Sequence, residues 1–549
     1  MISGLRVPVI RLHTRKDACE IDVVESGTWK TFHGTQVNRP ILNYVIEKRN
    51  VSGSPVVIGK RGNEWIYAIE PVEHFLAEDK KYAIESLISK LPESDELDLE
   101  ILLKDHKLAG EIVRNHINER LPRHLSALQC DIGDIASRYS VGYGPLELIL
   151  RDPSVEDIVI SSPCNNNPVC ISTRLNSSDK GSIYCETNLR VSEDFLKGII
   201  TRTRIFHGGE LSFTKPVLEV DLAHLKARMS TIIPPASRHG PTISIRRRKD
   251  FLWSIPRLIA DGSLSWTAGG FLSICCAARA SIIIAGGRGS GKTTLLSALL
   301  PEMPTVGRTT VMEDTEELPV LQLQGEGMSL QSLSLAGGIE RATSVMRAAL
   351  RIAEGAIIVG EIRGEEARIL FESIRTGTAA SCVIGTLHAS DFNSVRDRII
   401  IDMNMNPESF RSIDLVVMAR LRKNPSSGIS LRSVSEIDVI SETGECQHLF
   451  RQDENDILRT NLQSSTKLGG LADKICSQFG IKEEKILMLA RMRGFLKMVQ
   501  GLEWRRTGDD RVLSVRATRA VNSIPLDPQS RPDVSSLKES ALAAIRGCL

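Results

Sequence analysis

One stretch limits what this chain can fold into more than any other: Ser281-Ile-Ile-Ile-Ala-Gly-Gly-Arg-Gly-Ser-Gly-Lys-Thr-Thr-Leu-Leu296. The apolar, β-branched run Ser281 to Ala285 reads as a buried strand. A turn of Gly286, Gly287, Arg288, Gly289, Ser290 and Gly291 follows, and a helix opens at Lys292, Thr293 and Thr294. The spacing G-x-x-x-x-G-K-T is that of a phosphate-binding loop. Its glycines let successive backbone N–H groups curl around one anion at the positive end of a helix. In that geometry Lys292 reaches the β- and γ-phosphates, and the Thr293 hydroxyl completes a Mg²⁺ shell. At average residue frequencies the pattern is expected about 0.02 times in a chain of this length. The flanking strand and helix narrow it further, so the sequence implies ATP and Mg²⁺ as ligands.

Composition sets the surroundings of that loop. A chain of 549 residues, 42% hydrophobic and 25% charged, is expected to form about three to four domains with large cores. The net charge of +2 implies no general affinity for polyanions, and with 4% aromatic residues stacking platforms for nucleic acid are scarce. No apolar stretch approaches the ~18–20 residues that span a bilayer, and Met1-Ile-Ser-Gly-Leu-Arg6 lacks a signal-peptide core. The chain is therefore expected in the cytoplasm, reaching membranes through partners. Its eleven cysteines include no C-x-x-C pair, so they are expected to be reduced thiols with no zinc site.

Along the chain, residues 1 to about 75 look strand-rich, with a hairpin signal at Lys60-Arg61-Gly62-Asn63 between Val56-Val-Ile58 and Trp65-Ile-Tyr-Ala-Ile69. Helical patterns follow over about 80–91 and 95–120. From about Asp131 to Lys249 the pattern is mixed α/β. It ends in Gly240-Pro-Thr-Ile-Ser-Ile-Arg-Arg-Arg-Lys249, a strand running into four positive charges. Taken alone, those charges fit a solvated basic edge or a patch for acidic lipid or nucleic acid.

Beyond Phe251, strands alternate with helices, the pattern of a parallel sheet covered on both faces. Candidate strands are Ser281–Ala285, Thr309–Met312, Ala356–Gly360, Cys382–Thr386 and Leu415–Met418. Functional groups of such sheets gather at the carboxyl ends of strands. There the sequence delivers Glu313-Asp-Thr-Glu-Glu317, Glu361-Ile-Arg-Gly-Glu-Glu366 and Leu387-His388-Ala-Ser-Asp391. Carboxylates and a histidine at matching strand ends suit hydrolysis of a magnesium nucleotide. Past about Cys446 the signal weakens. The segment Lys482 to Val499 reads as a helix packed on its own core, and the Pro-containing stretch from about Thr507 as a loosely held tail with a short helix at Ser535–Ile545.

Together these residues resemble the secretion ATPase superfamily, which includes type II secretion, type IV pilus, Tad-type and archaeal pilus or archaellum motors. The resemblance covers about residues 131 to 425. It rests on Gly286–Thr293 as Walker A, on Glu313–Glu317 preceded by Arg308 as the acidic box, and on Ala356-Ile-Ile-Val-Gly-Glu-Ile-Arg-Gly364 as the atypical Walker B. Thr376-Gly-Thr378 with Gly385-Thr-Leu-His388 is similar to the histidine box. Upstream, Gly142-Tyr-Gly-Pro-Leu146, Ala227-Arg-Met-Ser-Thr231 and Gly240 to Arg246 resemble the family's N-terminal domain. The Walker B and histidine segments are most similar to archaeal members. The tetracysteine module of many bacterial members is absent, which points to the shorter Tad-like and archaeal branch.

The resemblance implies an α/β fold: a RecA-like P-loop NTPase core preceded by a mixed α/β, PAS-like domain. It divides the chain into an accessory region 1–125, the N-terminal domain 126–250, the ATPase domain 251–445 and an extension 446–549. It implies that Glu361 positions the attacking water, with Glu317 and Glu313 assisting, and that Glu313 and Glu361 hold Mg²⁺ through water. His388 would sense the γ-phosphate, while Arg228 and Arg246 would reach the nucleotide from the other domain. A homohexamer is implied, acting on a polytopic membrane platform protein and, through it, on pilin-like or secreted substrates, with no nucleic acid. A RecA-like nucleic-acid translocase and a non-hydrolysing scaffold remain the alternatives.

Overall fold

The computed structural model describes residues 29–91, 105–126, 128, 130–175, 181–248, 251–304, 307–336, 338–352, 355–364, 367–371, 382–423, 429–441, 444–453, 457–461, 468–529 and 533–549. The chain divides into two compact units, 1–249 and 250–549.

The first unit is built on a mostly antiparallel sheet. Its strands run in the spatial order Tyr44–Val51, Ser54–Arg61, Glu64–Ile69, Gly181–Thr187, Cys170–Arg174, Val155–Ile160, Thr242–Arg247, Ala227–Ile232 and Val217–Leu222. The pairing of Glu64–Ile69 with Gly181–Thr187 is parallel. The hairpin expected at Lys60–Asn63 is present, with Gly62 at φ +62°, a conformation that costs glycine least. Of the helix expected over 95–120, the first part lies outside the described residues. The described part, His106–Glu119, begins where the Asp105 carboxylate accepts from the Lys107 and Leu108 amides. Helix Glu193–His207 is capped in the same way by the Ser192 hydroxyl on Phe195 N–H. A buried polar core joins early and late segments: Arg138 Nη1 lies 3.0 Å from Glu73 Oε1, and the Thr35 hydroxyl contacts Tyr139 and His74.

The second unit carries six parallel strands in the spatial order Leu330–Ser334, Thr309–Glu313, Ala356–Val359, Cys382–Leu387, Ile282–Ala285 and Leu415–Lys423. Strand Cys382–Leu387 thus sits between the strand that feeds the phosphate loop and the strand that ends in Gly360-Glu361, which is the RecA-like arrangement. Antiparallel strands Ser430–Ile440, Cys446–Gln452 and Leu458–Thr460 extend the sheet beyond Lys423. The five expected strands are all present. Leu330–Ser334 escapes a periodicity reading because its Leu-Gln-Ser-Leu-Ser sequence is half polar, as suits an edge strand. Alternate residues of the phosphate-loop strand feed two cores: Ile282 and Ile284 pack with one set of helices, Ile283 and Ala285 with the other.

The C-terminal segment corrects the sequence reading. Residues after Thr507 are not a loose tail: Val515–Asn522 and Val534–Arg546 are helices that bury Val521, Ala541 and Ile545 against Leu496 and Val499. The expected helix is longer than its pattern, Ile486–Thr507, and packs along Trp266–Ala277. Glycines permit that approach. A Cβ on Gly270 would meet Ala490 O at 2.0 Å, and one on Gly494 would meet Trp266 O at 2.1 Å. Within the crossing, Lys497 and Glu302 form a fully buried ion pair at 2.6 Å, and Glu302 also accepts from Ser273 and Asn522. Removing one member of such a pair strands a buried charge, at a cost of about 3–5 kcal/mol. Lys497→Ala should therefore destabilise the second unit by about that amount in urea unfolding followed through Trp504 fluorescence, whereas Arg506→Ala, on the exposed end of the helix, should be near neutral.

Candidate nucleotide site

The phosphate loop is set by backbone geometry. Strand Ile282–Ala285 delivers the chain to Gly286, where a Cβ would meet the Ala419 carbonyl oxygen at 2.2 Å. Gly289 and Gly291 adopt φ of +73° and +95°, and the helix Lys292–Leu299 starts at Gly291. These conformations aim successive N–H groups at one point, the donor set a phosphate needs. The Ser290 hydroxyl is buried and makes no hydrogen bond among the described residues, a polar group suited to a ligand at the loop. Gly287, Arg288 and Gly289 are exposed, while Thr293 and Thr294 are half-buried at the helix start.

Lys292 is buried, and its ammonium donates to the carbonyls of Gly286 and Gly287, each at 3.0 Å. A third donation, at 3.3 Å, reaches Nδ1 of His388. His388 Nε2 in turn lies 3.6 Å from Glu361 Oε1. Partial burial, and after it the Lys292 charge, pushes the His388 pKa below its ordinary value, so the ring is neutral and can accept from Lys292. Lys292, His388 and Glu361 therefore form a continuous row at the ends of three neighbouring strands.

The acidic box divides into two roles. Glu313 is buried, and its Oε1 accepts from the backbone N–H groups of Glu317 and Leu318, each at 3.1 Å. Burial pushes its pKa up to about 7 despite those hydrogen bonds. Glu313 thus holds its own loop in shape, and Glu317 stands exposed at the tip. The loops are tied to one another: Arg363 pairs with Asp314, and the Thr386 hydroxyl donates to Gly360 O at 2.5 Å. Residues 376–378 of the histidine box lie outside the described residues, as do Glu365 and Glu366.

The expected arginines lie in the first unit. Arg228 and Arg246 stand directly opposite each other on adjacent antiparallel strands. Arg228 pairs with Glu219 at 2.5 Å, and Arg246 is 3.9 Å from Asp157. The register thus gathers both arginines on one sheet face, each beside a carboxylate.

The family model for "Type II/IV secretion system protein" matches residues 208–462. The protein MJ1287 of Methanocaldococcus jannaschii is 30% identical over 239 residues, 42% of this chain and 85% of that protein. The chain belongs to the type II/IV secretion system protein family. MJ0900 of the same organism is 31% identical over 276 residues, 48% of this chain, and the match spans about half (46%) of its length. The type IV secretion system protein PtlH of Bordetella pertussis is 28% identical over 237 residues, 39% of this chain and 69% of that protein.

In this family member one contact at the loop has no sequence signal. Arg432, from strand Ser430–Ile440, donates from Nε to Gly289 O at 2.9 Å, and its stem lies 3.6 Å from where a Gly291 Cβ would stand. It comes from an antiparallel strand some 140 residues downstream, and only tertiary pairing brings it to the loop. Arg398 likewise donates to the His388 carbonyl and braces the histidine from behind.

Two outcomes follow from this geometry. Arg432→Ala should weaken binding of a fluorescent ATP analogue by about tenfold, the loss of one charge-assisted hydrogen bond that holds the loop, with Arg432→Lys intermediate. Glu313, whose pKa is raised in the fold, contributes stability that is full below about 4.5 and is lost as pH rises through about 7. With an upper bound of about 3 kcal/mol for that contribution, Glu313→Gln should flatten the fall in stability of the second unit between pH 5 and 7 in denaturant titrations.

Proposed function

We propose that this protein is a Mg²⁺-dependent ATPase that drives secretion or assembly of a pilus-like filament. The observation that carries the reading is the row Lys292–His388–Glu361 at the mouth of a glycine-rich loop. Lys292 and the loop amides of Gly286 to Thr294 hold the phosphates. When bound, Mg²⁺ screens their charge; Thr293 would hold it directly and Glu361 through water. Glu361, exposed and beside a neutral histidine, is the base that orients the attacking water. His388 links it to Lys292, so a change at the γ-phosphate is felt at the base. Glu317 assists from the neighbouring strand end, and Glu313 shapes the loop that presents it.

Arg228 and Arg246 complete the proposal as the groups that neutralise transition-state charge, carried by the first unit. Closure and reopening of the two units would then be the working stroke. A homohexamer at the cytoplasmic face of a membrane, pushing on a polytopic platform protein, is the setting this reading implies. No helix among the described residues is long and apolar enough to cross a membrane. A relative named as a type IV secretion system protein supports a secretion motor over other RecA-like machines.

Phosphate release by the full chain with Mg²⁺ and ATP tests the assignment. Lys292→Ala should abolish nucleotide binding. Glu361→Gln should bind ATP normally and turn over ~10²–10⁴-fold more slowly. If Glu361→Gln leaves turnover unchanged while Lys292→Ala abolishes binding, the base is another residue. Stimulation by DNA but not by membranes bearing a platform protein would replace the secretion reading with a nucleic-acid translocase.

A further inference from the structure

Away from the nucleotide loop, three chemically distinct side chains converge on one point of the sheet extension. Asp438, on strand Ser430–Ile440, stands directly opposite His448 on strand Cys446–Gln452. Cys446 precedes His448 by two residues, so strand alternation puts both on the same face. His448 Nδ1 lies 2.7 Å from Asp438 Oδ1, and Cys446 Sγ lies 3.5 Å from the same nitrogen. One donor atom from each of the three lies within 4.8 Å of the others.

The Asp438 side chain is fully buried at 0% exposure, yet its Oδ2 makes no hydrogen bond among the described residues. A neutral or singly charged histidine satisfies one carboxylate oxygen and leaves the other stranded, which is costly in an apolar setting. Cys446 also packs at the edge of the apolar cluster around Ile440.

We infer that Asp438, Cys446 and His448 form a binding site for a divalent cation of the zinc class. A thiolate, an imidazole and a carboxylate are a donor set that favours Zn²⁺ over the oxygen-seeking Mg²⁺ and Ca²⁺. A tetrahedral zinc holds its sulfur and nitrogen donors roughly 3.5 Å apart, the spacing found between Cys446 and His448. The 2.7 Å between Asp438 and His448 is a hydrogen-bond distance, shorter than two zinc ligands adopt, so metal binding requires the carboxylate to turn away from the imidazole. His448 is 38% exposed, so solvent reaches one side of the cluster. Binding displaces the Cys446 thiol proton to solvent and forms the metal–sulfur bond, with no change of oxidation state. The metal would pin two antiparallel strands to each other, two and three strands from the phosphate-loop strand and on residues the hydrolytic row does not use.

Titration of metal-stripped full chain with Co²⁺, without nucleotide, tests the site. The expected result is one equivalent of a thiolate-to-cobalt charge-transfer band, displaced by Zn²⁺ and absent in Cys446→Ser. Asp438→Asn and His448→Ala should weaken Co²⁺ binding at least tenfold. Cobalt at the phosphate loop gives no such band, because no thiol is among the loop residues. A second measurement needs no variant: Zn²⁺ should protect Cys446 of the wild-type chain from alkylation, read by peptide mass spectrometry. A band that survives Cys446→Ser, absence of any band, or unprotected Cys446 would reduce the cluster to a hydrogen-bonded group with no metal function.

Discussion

A lysine ammonium buried at the mouth of a glycine loop is the constraint on which the second unit depends. Lys292 loses most of its hydration there, so nearby acceptors must replace water. Two loop carbonyls and one histidine nitrogen do so. The histidine can serve only while neutral, and burial next to the lysine keeps it neutral. Strand Cys382–Leu387 lies directly beside the phosphate-loop strand, with the Glu361 strand one position further out. Glu361 then meets Lys292 of the phosphate loop through His388. Sheet order and chemistry are two descriptions of one arrangement.

The rest of the unit keeps that arrangement stiff. The loop after Thr309–Glu313 is held by its own buried carboxyl, a local device that exposes Glu317 without letting it wander. The glycine-lined crossing of Trp266–Ala277 with Ile486–Thr507 brings two helices close enough for Lys497 to reach Glu302. Phe450, Leu458, Ile475 and Leu489, all beyond Cys446, therefore share a core with the parallel sheet. Leu295 and Leu299 of the helix that follows the phosphate loop and Leu489 of Ile486–Thr507 belong to the same apolar cluster.

Much of the site was legible because its chemistry is local. A G-x-x-x-x-G-K-T run, an acidic box, a Gly-Glu after an apolar strand and a Thr-Leu-His after another each occupy one strand end, and strand ends of a parallel sheet are where ligands bind. What stayed hidden depends on pairs far apart in sequence. Arg432 reaches Gly289 across 143 positions, and Arg363 meets Asp314 between two loops. Of the helices after Thr507, the last was expected and Val515–Asn522 was not, because the stretch is polar and proline-interrupted and its few apolar residues meet partners on another helix.

By itself the sequence determined that a phosphate loop follows a buried strand, that glycines occupy the positions where that loop must curl or come close, and which side chains end the neighbouring strands. Those are properties of residue type and short spacing. Tertiary structure decided which strand lies beside which, and hence that His388 stands between Lys292 and Glu361 while Glu313 turns inward. It also decided that Asp438, Cys446 and His448 share one point. Strand order depends on which apolar faces find each other, and that choice is made by packing over the whole sheet, beyond the reach of any local pattern.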